Sequence, residues 1–289
     1  MNNELSLDAL LPAEMAAKAE AIGVKKAKLD GVNMFALAVL AGAFVAVGGL
    51  FASTVATGFA AAGWPVGLQR FLSGVAFCIG LILVVVGGAE LFTGNNLIVM
   101  AWANHKVSTA LLIRNWVIVY AGNFVGSVAT ALLMFAARHY SFSGGEIGVQ
   151  ALTLANTKAG YGFVQALALG ILCNALVCLA VWLTYSARTV TDKIMAIFFP
   201  ITAFVAAGFE HSVANMYFLP MGLLIKQWAD PAFWEKVGKT PADFAALTWQ
   251  NALWNLLPVT IGNIIGGALL VGGVYWFVYL RKRKSAAPG

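Results

Sequence analysis

Gly88-Ala89-Glu90-Leu91-Phe92-Thr93-Gly94-Asn95 and Gly208-Phe209-Glu210-His211-Ser212-Val213-Ala214-Asn215 share the pattern Gly-x-Glu-x-x-x-x-Asn. Each copy sets a carboxylate inside a long apolar stretch, where it costs about 2.5–3.5 kcal/mol on membrane-insertion scales. A cost met twice at matching positions points to a pathway for a polar solute.

The rest of the composition agrees. Of 289 residues 61% are hydrophobic and 10% charged, and the mean hydropathy is +0.83. These values lie outside the soluble globular range and define an integral membrane protein. Six apolar stretches, about 33–58, 70–102, 115–137, 161–185, 192–225 and 252–280, reach the roughly 20 residues a helix needs to cross a bilayer. The 30 glycines suit helices that pack closely or break. The first 30 residues are charged and hold no long apolar run, so no cleavable signal peptide is expected. Cys78, Cys173 and Cys178 fall inside spans and read as small packing residues. The net charge of +6 does not imply nucleic acid, because the 18 Lys and Arg sort twelve to six between the two sides of a six-span chain. That bias places both termini in the cytoplasm.

Repetition extends past the opening motif. Asn115, Gly122, Asn123 and Gly126 in the third span recur as Asn255, Gly262, Asn263 and Gly266 in the sixth. The chain therefore reads as an all-α protein of two three-span halves, about 31–140 and 155–280, within a channel domain 31–280. Three is odd, so the second half is inserted upside down relative to the first. Both Glu-Asn motifs are then expected to meet near the midplane. Residues 1–30 form a cytoplasmic N-terminal segment whose stretch Leu10 to Ile22 suits an amphipathic helix lying under the membrane, and 281–289 form a basic tail. The second and fifth apolar segments are too long for one span and too short for two. Each is expected to be a broken helix, tolerated in lipid only where the link is buried or lines a cavity. The half-helix N-termini would present unpaired N–H groups and positive dipole ends to the pathway, which favours an anion.

Among candidate functional residues, His211 is the one histidine inside a span; His105 and His139 fall in connections. Imidazole exchanges a proton near neutrality, so His211 suits donation of a hydrogen bond or a proton to a carboxylate. Glu90 and Glu210 would repel an anion. Their expected role is to accept hydrogen bonds from the backbone N–H groups freed at each break, with Asn95 and Asn215 in the same network. Thr93 would donate its hydroxyl toward the solute opposite His211. Lys158, at the edge of the fourth span before Gly160-Tyr161-Gly162, is either an exposed loop lysine or a group that concentrates a small anion. There is no Asn-Pro-Ala pair, no Gly-Lys-Ser or Gly-Lys-Thr phosphate loop and no paired intramembrane His spacing, so no enzyme chemistry, cofactor or metal is expected.

The strings GAELFTGNN, NWVIVYAGNFVGS, GILCNALVCLAVW, GFEHSVANMYFLPMG and PVTIGNIIGG resemble the formate/nitrite transporter family, nearest to its formate-channel branch, over nearly the whole chain. The resemblance implies an aquaporin-like protomer with broken second and fifth helices, assembled as a homopentamer with a pore in each subunit. By position it makes His211 the central histidine and Thr93 its partner, with Leu91 and Phe92 on the same mobile link. It implies a cytoplasmic-side constriction around Phe77 and Leu81, a periplasmic-side one around Phe204 and Val177, and a polar pair Lys158 and Asn174 along the route. Thr93-Gly94-Asn95-Asn96 departs from the Thr-Ser-Thr of the formate branch.

The function implied is passive or proton-coupled passage of formate, and of related small anions such as acetate and lactate, across the bacterial inner membrane. Two alternatives stand beside it: nitrite or hydrosulfide transport in the same family, and a membrane anchor subunit of a formate-oxidising enzyme.

Overall fold

The computed structural model describes residues 8–281; of the expected basic tail only Arg281 falls among them. Every regular element among the described residues is helical, and six helices are long and apolar enough to cross a membrane. α1 (Pro12–Ala27) precedes α2 (Gly31–Ala56) and α3 (Val66–Gly87). The chain then breaks and resumes as the short α4 (Phe92–Asn95), a 3₁₀ turn and α5 (Val99–Ala103), followed by α6 (Thr109–Ala136). The second half repeats this order. α7 (Glu146–Ala159) precedes α8 (Phe163–Ser186) and α9 (Val190–Ala207); after a second break come α10 (Ser212–Trp228), the short α11 (Pro231–Val237) and α12 (Trp249–Ile264), which continues with wider π turns to Leu280.

α1 lays Met15, Ala16 and Ala19 against Met100, Cys178 and Trp182 at one end of the bundle. Its apolar stripe is covered by protein. Pro12 stands in the first turn, where its missing N–H is no loss, and Asp30 caps the start of α2 through the N–H groups of Val32 and Asn33. The repeated glycines let backbones touch. A Cβ on Gly126 would fall on the Val39 carbonyl of α2, and one on Gly266 on the Ile171 carbonyl of α8. α6 therefore packs on α2 as α12 packs on α8.

Both breaks end on glycine in the left-handed region, Gly88 at φ 80° and Gly208 at φ 76°, a conformation that closes a helix with no Cβ penalty. The link after each break is held by one asparagine. Asn123 of α6 donates to the carbonyls of Ala38 and Glu90, at 2.8 and 2.9 Å, and accepts from the Phe92 N–H at 2.9 Å. Asn263 of α12 donates to Gly170 and Glu210, at 2.8 and 3.0 Å, and accepts from the Ser212 N–H at 2.9 Å. The Glu90 and Glu210 N–H groups reach the carbonyls of Leu37 and Leu169. Glutamate side chains do not perform the expected backbone capping. A carboxylamide both donates and accepts, and so closes a donor and an acceptor of the link at once.

The motifs meet through Thr93 and His211, whose side chains lie 2.9 Å apart, but their glutamates point away from each other, Glu90 to Lys26 and Glu210 to Lys158. At 1.5 Å per residue, α3 with 22 residues and α9 with 18 run about 33 and 27 Å before they break, nearly a bilayer's thickness. The two are antiparallel neighbours, with a Gly74 Cβ position 2.6 Å from the Thr202 carbonyl and Cys78 Sγ 3.5 Å from that of Phe198. Their broken ends consequently lie at opposite ends of the bundle, one toward α1 and one toward α7.

Replacing Asn123 or Asn263 with alanine leaves several buried backbone groups unpaired, each worth about 1–3 kcal/mol. Thermal unfolding in detergent is expected to show a loss of more than about 2 kcal/mol for each variant and almost none for Asn33→Ala at an exposed site. Melting as in the wild type for both would show that the links are held by other contacts.

Candidate functional site

Two cavities approach the breaks from opposite ends. The one on the α7 side, about 350 Å³, is lined by Phe77, Phe204, Lys158, Arg70, Glu210 and His211. The one on the α1 side, about 540 Å³, is lined by Lys26, Leu81, Glu90, Leu91 and Asn95 among others.

Between them stands His211, 3% exposed, in the cap position that opens α10. Its Nδ1 accepts the Ala214 N–H at 3.1 Å, and its Nε2 lies 2.9 Å from Thr93 Oγ1. Because a backbone N–H can only donate, Nδ1 is the acceptor nitrogen and Nε2 carries the proton of the neutral ring. Nδ1 cannot take a second proton without giving up the cap bond. The tautomer is set by the helix start, and Nε2–H points at Thr93. Thr93 is fully buried, and its carbonyl accepts from Asn174 Nδ2 at 3.2 Å and from Cys178 Sγ at 3.2 Å.

Each carboxylate of the repeat belongs to an ion pair, buried at Glu210 and part-buried at Glu90. Glu210, 1% exposed, accepts from Lys158 Nζ at 2.5 Å and from Asn215 Nδ2 at 2.7 Å. Glu90 accepts from Lys26 Nζ at 2.9 Å and from Asn95 Nδ2 at 2.7 Å. Asn115 and Asn255 complete the two sets: each accepts from the motif asparagine and donates to the carbonyl of the lysine, Lys26 or Lys158. The sets differ in one bond. Lys26 also reaches Asn95 Oδ1 at 2.9 Å, whereas Asn215 Oδ1 has no partner among the described residues. Lys158 is neither exposed nor in a loop; it ends α7, 8% exposed, with its ammonium over the Phe218 ring at 5.5 Å.

Several expected placements change. Phe77 and Phe204 do not flank His211 from opposite sides; their rings touch edge to face at 5.4 Å on the α7 side, and Phe204 stacks near His211 at 6.0 Å. The cause is the length of α9, which carries Phe204, four residues short of the break, across to the Phe77 level of α3. Leu81 and Leu91 line the other cavity. Phe92 turns into the protein against Tyr120 and Trp116, and Val177 is buried in the same core without lining either cavity. Asn174 lies behind the route. It ties the Thr93 carbonyl to Asn96 Oδ1 and to the Asn263 carbonyl, at the point where α12 widens into its π turns. Of the first N–H groups after the breaks, those of Phe92, Ser212 and Ala214 are bonded within the protein.

Sequence reasoning missed Lys26, because it lies outside every span. The available signal was position: Lys26 and Lys158 each precede by five residues the first spanning helix of their half.

The family model described as formate/nitrite transporter matches residues 13–277. The chain is 45% identical over 283 residues to the formate channel FocA of Escherichia coli K12, covering 98% of this chain and 99% of that one. It is 40% identical to the formate channel FocA of Haemophilus influenzae, over 94% of this chain and 95% of that one. Among solved structures, a pentameric formate channel with formate bound superposes with a TM-score of 0.82 at 44% identity, covering 87% of this chain and 98% of that chain. A second, an FNT family ion channel, gives 0.75 at 28% identity over 91% and 98%. With a buried His–Thr pair between two cavities and this likeness along its length, the chain is a multi-pass membrane protein of the formate/nitrite transporter family.

Proposed function

We propose that this protein is a channel for formate across the bacterial inner membrane, working as a homopentamer like its structural relative, with both termini and α1 on the cytoplasmic side. The observation that carries the reading is the contact of His211 Nε2 with Thr93 Oγ1 between the two cavities. A small carboxylate entering there exchanges that single hydrogen bond for two, one from the imidazole N–H and one from the threonine hydroxyl. An ionised carboxylate is expensive to move through apolar surroundings. Lys158 on one side and Lys26 on the other each offer a positive charge next to the route, and each is kept in place by its glutamate.

The apolar groups set the size. Phe77 with Phe204 narrows the approach from the α7 side, and Leu81 with Leu91 narrows it from the α1 side. These rings exclude a hydrated ion, and small size then favours formate over acetate and lactate. For formate to pass as the neutral acid, His211 must first become the imidazolium: Nδ1 gives up the Ala214 N–H and takes a proton from water, and Nε2 then passes its own proton to formate. The reading of 31–140 and 155–280 as two repeated halves is supported by the matched interactions around Asn123 and Asn263.

Purified protein in liposomes is expected to take up formate, with slower passage of acetate and lactate and competition from nitrite and hydrosulfide measured in the same panel. Absence of any flux would leave the membrane-anchor alternative. His211→Asn is expected to abolish the difference between uptake at acidic and at neutral external pH, in protein that still assembles; an unchanged pH profile would remove His211 from proton exchange.

Because Phe77 and Phe204 form one ring, alanine at either position is expected to raise acetate uptake relative to formate by roughly tenfold, a barrier change of about 1.4 kcal/mol. The double replacement should add little. Independent, additive effects of the two replacements would place the phenylalanines at separate constrictions.

Glu210→Gln leaves the Lys158 ammonium buried without its counter-charge, and removing one partner of such a pair costs about 3–5 kcal/mol. The Lys158→Met/Glu210→Gln double variant is expected to regain most of that stability while formate uptake stays low. Full uptake by the double variant would show that the lysine has no part in attracting the anion.

A further inference from the structure

The two cavities differ in charge. On the α7 side Arg70 and Lys158 face Glu210. On the α1 side Lys18, Lys25, Lys26 and Lys193 face Glu90 alone. Lys26 is committed to Glu90 and Asn95. Lys18 donates only to a carbonyl, that of Tyr185, at 2.7 Å, and the ion pairs among the described residues involve none of Lys18, Lys25 and Lys193.

The acids nearby are engaged elsewhere. Glu20 is held by Lys106 and Asn104, Glu14 by the Leu11 N–H, Asp30 by the N–H groups that start α2, and Asp192 by those of Arg188 and Thr189. Like charge is concentrated instead of relieved: burial first, then the charges of Arg188 and Lys193, push the Lys18 ammonium below its ordinary range. A monovalent anion does not call for this excess, since the other cavity serves the same route with far less.

We propose that the α1-side mouth is a binding site for a multivalent phosphate, such as a pyrophosphate or phosphate monoester, held between Lys18, Lys25 and Lys193, and that its occupant plugs the route. Three lysines from two elements, α1 and the start of α9, line one concave mouth of about 540 Å³. Lys18 and Lys193 are half-buried in its wall and therefore do not sweep freely through solvent. An anion of charge two or more gains from each of them at once, whereas formate gains from one at a time. A bound phosphate would lie directly before Glu90 and Leu91, across the entrance to Thr93.

The flux readout rests on the formate-channel reading; binding does not. Inorganic pyrophosphate is titrated against the full-length protein in sealed vesicles of both orientations, with formate uptake followed. In parallel, ³¹P line broadening is measured with the detergent-solubilised protein. The expected result is inhibition from the α1 side only, with uptake falling about threefold at a pyrophosphate concentration of twice its dissociation constant. Lys18→Gln/Lys193→Gln is expected to raise the half-inhibiting concentration about tenfold with uptake retained when pyrophosphate is absent. Lys193→Gln alone, which removes no hydrogen bond, keeps the test valid should the Lys18 change disturb α1.

Vesicles of neutral phosphatidylcholine and of anionic phosphatidylglycerol distinguish the source. Equal inhibition in both assigns the site to a soluble phosphate, and inhibition weakened by phosphatidylglycerol assigns it to a lipid headgroup. Inhibition that is equal from the two sides, or unaffected by the lysine variants, overturns the site, as does absence of line broadening. Line broadening that depends on Lys193 in a protein with no formate flux would retain the site and reject the formate reading.

Discussion

A backbone that leaves the helix inside a membrane must find new partners for its N–H and C=O groups, because the lipid core offers no water to replace them. Here that constraint is met twice by one residue type in one geometry. Asn123 and Asn263 each take a carbonyl from the neighbouring helix, a carbonyl from the link and an N–H from the start of the next half-helix. Everything at the site hangs from these two pins. Asn123 positions the turn that presents Thr93, Asn263 positions the turn that presents His211, and the 2.9 Å contact between those residues follows.

The glutamates do a different job from the one their position in the motif suggests. A buried carboxylate cannot stay charged without a partner, and Lys26 and Lys158 supply one on each side. The pairing works in both directions. The carboxylate keeps a lysine charged and fixed beside an apolar route, and the motif asparagine orients the carboxylate from its second oxygen. The α7-side pair retains one open acceptor, Asn215 Oδ1, close to Lys158; the α1-side pair has none left.

Much of this was legible in the sequence, and what was not has a physical explanation. The spans followed from hydropathy and length, the breaks from Gly88 and Gly208 within overlong apolar segments, and the centrality of His211 from its lone position beside Glu210. Overall segment length does not reveal that the first piece, α3 or α9, takes nearly the whole thickness, so the separation of Glu90 from Glu210 was not legible. The inverted repeat and the resemblance put Phe77 and Phe204 on opposite sides, though they share an edge-to-face contact. Lys26 was missed because it lies in α1, outside any span. The family resemblance placed Asn174, Phe92 and Val177 along the route, yet helix rotation turns all three into the core, which periodicity over a helix apolar on every face cannot show.

The repeat also explains why scaffold and chemistry differ in legibility. Positions that hold the frame are the same in both halves: glycine at the break, glutamate and asparagine in the motif, the α6 and α12 asparagines, and a lysine ahead of each half. The two positions that meet between the cavities are not. His211 corresponds in the motif to Leu91, and Thr93 to Val213. Divergence at those two positions lets one link supply the N–H and the other the hydroxyl, while Leu91 and Val213 keep water from the remaining sides. A repeat search therefore finds the frame and passes over the site. The site is found at the positions where the repeat fails.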